Sequence, residues 1–383
     1  MMFPGAVASA AAVASMLATG LVPAQAATGS GWKVAATIGK TTQFVTNLGL
    51  DATSAHNAWS LWTTCTVGTQ CDAGKFEKVL AHWNGSTWAT RRPATLQKIY
   101  HPRAFGASSA SNIWVFGGQS GRTSVPEKPT PAYQWNGRRW VKHTLPSWVI
   151  RKDGYGDQGA VAKVFSPSDL WVFTVGVEKD TTPRLAGHYN GHRWVKYYLP
   201  AVPGAISAVS RNDMWAVGST LQDPSQVVLM HWNGKTWSSR PVPTQSPSGS
   251  LDFVSDPAGT GPRSVSMLGA FGPSLSSRVT YLLHWNGSSW QKVLVPAKTL
   301  SGLAPDGHGG WWTVNAGGDW RDRFLHRSNG RWTRSSVPAL SWAPLRRVDG
   351  LVRVPGTTTI LAYGDLTKLG DKGEVGTLWQ RRG

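Results

Sequence analysis

One short phrase is written almost unchanged six times along this chain. It first reads His82-Trp83-Asn84-Gly85-Ser86-Thr87-Trp88, and near copies cover residues 134–140, 188–194, 231–237 and 284–290. The sixth, Ser328-Asn329-Gly330-Arg331-Trp332, is one residue shorter. The copies lie roughly 43–54 residues apart, an interval that marks a repeat architecture and excludes a single irregular domain.

Asn-Gly between two aromatic-rich strands is a hairpin signal, because both residues tolerate the positive φ of the tightest turns. Each phrase is therefore expected to join two strands of one unit. A proline follows the second Trp in the copies, as at Pro93, Pro146, Pro200, Pro243, Pro296 and Pro338. Proline cannot donate to a ladder, which suits the end of an edge strand. Upstream of each phrase runs an aromatic strand such as Asn112-Ile113-Trp114-Val115-Phe116-Gly117-Gly118 or Asp169-Leu170-Trp171-Val172-Phe173. Degraded copies lie near residues 265–268 and 360–364. A strand of small residues precedes each, so one unit holds four strands.

Counting the aromatic strands gives seven units, near Trp59, Trp114, Trp171, Trp215, Ser266, Trp312 and Leu361. The seventh runs out at Leu378-Trp379-Gln380-Arg381, one strand short. The missing strand is found at the other end, where Gly31-Trp32-Lys33-Val34 repeats the turn-and-strand pattern of the sixth unit. The expected fold is all-β: a seven-bladed β-propeller of four-stranded blades, closed by the N-terminal strand completing the last blade. Such closure removes the open edge that would otherwise recruit other chains. Residues 27–383 form this one domain.

The second unit, with Val115-Phe116-Gly117-Gly118, then Trp140 and a closing Leu145-Pro146, resembles the kelch repeat. It is similar to the central propeller of the galactose-oxidase-like proteins and to repeats of secreted actinobacterial proteins. The resemblance covers about residues 30–383 and implies the fold and its N-terminal closure. The double glycine is intact only at Gly117-Gly118. Copper oxidases of kelch type need a crosslinked Cys–Tyr pair and histidine ligands, which the residues here do not offer. Sialidase-type Asp boxes are absent from the turns.

Residues 1–26 hold an apolar, Ala-rich run ending in Ala24-Gln25-Ala26, which reads as a cleaved export signal, although its start carries no Lys or Arg. The chain is expected to be secreted, with no transmembrane segment in the mature part. The two cysteines, Cys65 and Cys71, sit in one loop of the first unit and read as a disulfide in an exported protein. Net charge is +19, with basic residues scattered along the chain. That favours anionic extracellular partners, and no nucleic-acid-binding signature accompanies it.

Seventeen of the 22 Trp fall at repeat positions and are expected to be core. Trp62, Trp148, Trp311, Trp320 and Trp342 are left over. Trp148, Trp320 and Trp342 lie in loops that should open on the propeller face opposite the Asn-Gly turns. Tyr100, Arg103, Arg151, Tyr155, Arg321 and Arg346 are expected on that same face. Flat aromatics beside guanidinium groups suit sugars and anionic polymers. These nine residues are the candidate binding site, and the rival reading is that the Trp merely cover the blade rims. The expected function is a monomeric secreted binding module for cell-surface carbohydrate or another anionic polymer, without cofactor or metal. Alternatives are a glycan-active hydrolase or lyase using carboxylates of the open face (Asp153, Asp157, Asp180, Asp223 or Asp319), and a protein–protein scaffold.

Overall fold

The computed structural model describes residues 31–67, 76–99, 101–118, 131–149, 159–175, 184–220, 226–274, 277–316, 321–368, 370 and 373–382. Each sequence unit becomes one antiparallel sheet, and seven sheets form among the described residues. The first blade runs outward through Gln43–Ser54, Asn57–Thr66, Glu77–Trp83 and Trp88–Arg91. Six blades follow this four-stranded plan, while the fifth is enlarged. Its innermost strand is broken into Gly249–Val254 and Ala258–Gly261, both paired with Ser264–Phe271. The one helical turn among the described elements is Ala94–Gln97.

The ring closes as the repeat count requires. Strand Trp32–Ile38 pairs antiparallel with Glu374–Arg381, Trp32 lying opposite Arg381 and Ile38 opposite Gly376. The seventh blade thus takes three strands from one end of the chain and its outermost strand from the other.

Among the described residues the core divides into seven clusters, one for each pair of neighbouring blades. A blade sandwiched between two others is apolar on both faces, so its second strand reads as a near-continuous hydrophobic run. Trp59 packs toward the second blade, while Trp62, three residues on, packs toward the seventh. Trp311 and Trp312 part in the same way, toward the fifth and seventh blades. Trp62 and Trp311 are therefore core residues, not the surplus that repeat phase alone suggested. Strand alternation, not repeat phase, places them.

The Asn-Gly turns differ from the expected tight form. In the first five, four residues separate the paired Trp or Tyr from the next Trp, as between Trp83 and Trp88. Only the glycine takes positive φ, from +88° at Gly137 to +99° at Gly85. The asparagine instead caps the loop: Asn233 Oδ1 accepts from the Lys235 and Thr236 amides at 3.0 and 2.9 Å. The sixth turn lacks one residue and is the true two-residue hairpin. There Asn329 and Gly330 both adopt positive φ, +49° and +77°.

In four blades the histidine before the turn has a structural task. It lies opposite the indole of the second strand and reaches the polar residue that starts that strand. His231 Nε2 lies 2.9 Å from Asp213 Oδ1, and its ring stacks on Trp215 at 3.9 Å. His188 repeats this with Asp169 and Trp171, and His82 with Asn57 and Trp59. In the sixth blade His326 uses Asp306 and Trp312. In the second blade Gln134 takes the histidine's place and binds Asn112. This clip satisfies buried polar groups at the end of the blades that carry it and fixes the indole.

Candidate functional site

The innermost strands line the propeller axis. They bring together charges that lie far apart in sequence. Asp51 comes from the first blade, Lys163 from the third, Asp256 from the fifth and Asp349 from the seventh, while Tyr363 stands on the seventh blade's second strand. Asp51 Oδ2 accepts from the Ala107 amide of the second blade at 2.9 Å, and burial raises its pKa against the pull of the Lys163 ammonium. Asp256 sits where the fifth blade's innermost strand is broken. Burial raises its pKa also, again with Lys163 opposing. Its side chain remains open to solvent, although protein surrounds much of it. Tyr363 is pushed well above the usual phenol range, first by burial and then by Asp256, Asp349 and Asp51. Burial thus dominates, and carboxylates from three blades add to it in opposing ionisation of this phenol.

A second cluster adjoins it on the seventh blade. Arg347 Nε lies 3.2 Å from Asp349 Oδ1, and its Nη2 lies 2.9 Å from Asp365 Oδ2. The Asp365 pKa is nevertheless pushed up to about 7. Its side chain is 3% exposed while that of Arg347 is 45% exposed, so loss of hydration outweighs an attraction that water screens. Glu374 and Asp349 add repulsion. Among the described residues no three His, Cys, Asp or Glu side chains lie close enough to share a metal ion.

Among the described residues, two cavities open between blades. One, of about 280 Å³, lies between the first and second and is lined by Trp59, Leu80, Arg91, Arg92, Pro93, Ile113, Trp135 and Trp140. The rings of Trp135 and Trp140 are 5.8 Å apart and inclined by 50°. Arg92 is held by Glu77 at 2.9 Å, and Arg91 is exposed. The other cavity, of about 500 Å³, lies between the fifth and sixth blades on the Asn-Gly side of the disc.

The residues expected from sequence to form one face site are spread over the ring. Arg321 and Arg346 meet in a parallel bridge between the sixth and seventh blades, and Trp342, four residues before Arg346 in sequence, is 39% exposed. Trp148 is on the far side, packed against the core between the second and third blades, with Lys196 Nζ 5.0 Å from its ring centre. Arg103 is not in a loop: it occupies a bulge of the second blade's innermost strand, between Pro102 and Ala104. Tyr100, Arg151, Tyr155 and Trp320 lie outside the described residues, as do Asp153, Asp157, Asp180, Asp223 and Asp319. Cys65 is buried, and Cys71 lies outside the described residues. The axial acids lie on or beside the innermost strands, not in the long loops where the sequence placed candidate carboxylates. Their signal was phase, since Asp51 and Lys163 hold the same place opposite Trp59 and Trp171.

No protein-family model and no curated protein matches the chain. Among solved structures it is similar to the GH74 xyloglucanase of Xanthomonas campestris, at 14% identity and a TM-score of 0.52, over 94% of this chain and 54% of that one. It is also similar to the fucose-specific lectin of Aleuria aurantia (12% identity, TM-score 0.44, 80% of this chain and 99% of that one). A third is the NanB sialidase of Streptococcus pneumoniae (10%, 0.43, 92% and 71%). At such identities the likeness concerns fold. The chain is a seven-bladed β-propeller, as the kelch resemblance implied, and no kelch family model matches it.

Proposed function

We propose that this protein is an exported propeller that binds carbohydrate, as a binding module of the cell surface or its surroundings. Residues 1–26 act as the export signal in this reading, and Cys65 pairs with Cys71 in the oxidising compartment. The observation that carries the reading is the groove between the first and second blades. Two inclined indoles and the Trp59 edge offer apolar planes to a sugar ring, and the Arg91 guanidinium at the mouth offers donors to its hydroxyls. The surplus of positive charge raises the local concentration of an anionic polymer.

The test is retention of the mature protein on a glycan array and on purified cell-wall polysaccharide at physiological salt. Trp135→Ala with Trp140→Ala should abolish retention while circular dichroism stays native. Retention equal to wild type in that folded variant, or no retention of wild type on any polymer, overturns the reading. The axial acids favour a second reading, a glycan-active hydrolase or lyase. Such chemistry needs one protonated carboxyl and one ionised partner, and burial raises Asp51 and Asp256 toward the first role. Release of reducing sugar that is lost in both Asp51→Asn and Asp256→Asn would support it. No release across a broad polysaccharide panel would exclude it.

A further inference from the structure

The clip of His, acid and indole fails in one place that leaves a hole. In the blades that keep it, the indole of the second strand faces the next blade: Trp59 toward the second, Trp114 toward the third, Trp171 toward the fourth, Trp215 toward the fifth and Trp312 toward the seventh. In the fifth blade the residue opposite His284 is Ser266, where four other blades pair histidine with Trp. The residue two places before it is Ser264, where the fourth blade has Asp213. The fifth blade has thus lost both the indole and the acid, on the side that faces the sixth. The cavity of about 500 Å³ lies there. The seventh blade also lacks the indole, having Leu361, but Trp62, Trp83 and Trp88 crowd the same cluster and fill that interface. Loss of the indole is therefore not by itself the reason for a void. The fifth blade is the one that left the space open.

The lining of this space is one-sided in charge. Arg327, Arg353 and His284 contribute cationic or donor groups, joined by Gln291, Thr260, Ser264 and the edge of Trp311, and no carboxylate is among the lining residues. Arg353 is held in place. Its Nε donates to the Thr357 carbonyl at 2.8 Å, and its guanidinium lies where a Cβ on Gly307 would stand. Gly307 has φ +91°, so that close approach and the turn both require glycine. Arg327 Nε is buried without a hydrogen-bond partner among the described residues. His284 spends Nδ1 on Ser266 Oγ at 2.9 Å, and among the described residues no acid occupies its other nitrogen. Two half-buried guanidinium groups on one cavity, one held in place and the other with an unused Nε donor, are matched by an oxyanion, which a planar fork binds in two-point fashion. The volume lies within the range of small-molecule sites.

We infer that the cavity between the fifth and sixth blades is a second binding site, made by deleting the blade's structural indole, that takes a sugar unit bearing one oxyanion, a carboxylate or a phosphate. It rests on the carbohydrate reading for the sugar, while its anion selectivity rests on its own lining. The experiment is calorimetric titration of the mature protein with three probes: an oligogalacturonate, a neutral oligogalactose of equal length, and glycerol phosphate. Binding of the first or third with at least roughly tenfold preference over the neutral sugar is expected, and which of them binds separates carboxylate from phosphate. Two variants place it. Arg353→Gln should weaken the anionic probe roughly tenfold. Ser266→Trp restores the residue of the other blades, plugs the space and should abolish binding while the melting temperature holds or rises. No binding of either anionic probe, equal binding of the neutral one, or binding unchanged in folded Ser266→Trp overturns the inference. Trp135→Ala with Trp140→Ala leaves this cavity intact, so failure of the groove between the first two blades is read separately.

Discussion

Removing the Trp32 indole tests the closure of the ring. That residue is 1% exposed, lies flat on Phe324 at 3.7 Å and meets Trp312 edge-on at 5.4 Å. Trp32→Ala removes on the order of 150–250 Å² of buried apolar surface, which at about 25 cal/mol per Å² is about 4–6 kcal/mol before the void relaxes. Measured losses for buried Trp or Phe to Ala run at about 3–5 kcal/mol, and we expect that range. The control is Trp114→Ala, equally buried at 2% but placed within a blade continuous in sequence. Urea unfolding should show similar losses for both. Hydrogen exchange should separate them. In Trp32→Ala the strand Trp32–Ile38 loosens, and the amides of Glu374–Arg381 that pair with it lose protection by roughly a hundredfold beyond the global change. In Trp114→Ala those amides should follow global stability alone. A Trp32→Ala loss under about 1 kcal/mol, with Glu374–Arg381 protected as in wild type, would refute closure by the N-terminal strand.

Other outcomes follow from the same geometry. Asp365 has a pKa raised in the fold to about 7, so its contribution is fully present near pH 4 and is lost as pH rises through about 7. His82, His143 and His284 are held below the usual imidazole value by burial, so their contribution is lost as pH falls below about 6.5. Asp365→Asn removes only the first slope, so the melting temperature of wild type minus that of the variant should be larger at pH 5 than at pH 8. A difference independent of pH would reject the assignment. Gly85→Ala should cost more than Gly330→Ala in urea unfolding, by about 1–2 kcal/mol. Both need positive φ, but a Cβ at position 85 would meet the His56 ring at 2.5 Å, while none of the described atoms comes within 4 Å at 330. Asp213→Ala should cost about 1–3 kcal/mol by leaving the buried His231 ring nitrogen unpaired. If His231→Ala then adds as much again in the double variant, the two residues are not one clip.

The architecture was legible because the propeller repeats its errors as well as its rules. Asn-Gly, Trp and proline recur in phase, and a strand missing at one end is present at the other. Turn detail was less legible. Asn-Gly is compatible with both the two-residue hairpin and the four-residue loop, and only the spacing to the next Trp separates them, a residue fewer in the sixth copy. Trp62 and Trp311 were misplaced because a sandwiched strand buries both faces, so a residue out of phase with the repeat is still core. The axial acids were not legible as a group. Nothing local joins Asp51, Asp256 and Asp349; they meet only because seven innermost strands surround one axis.

A repeat fold also makes one kind of site easy to produce. Four of the interfaces between blades are filled by an indole that stacks on a histidine, and that histidine is held by an acid or amide. Replacing that indole by serine removes contact from one interface while six others keep the ring closed, so the cost is local. What remains is a cavity walled by rigid strands, with an imidazole whose usual partner is gone and arginines from the next two blades reaching into the gap. Polar groups left without partners in such a space favour any ligand that satisfies them. The sequence mark of a site in this architecture is therefore a residue that fails to recur, as Ser266 does where the neighbouring blades carry Trp215 and Trp312. Restoring the indole there should raise stability and remove binding together. A variant that gained stability and still bound the anionic probe would show that the gap has no bearing on recognition.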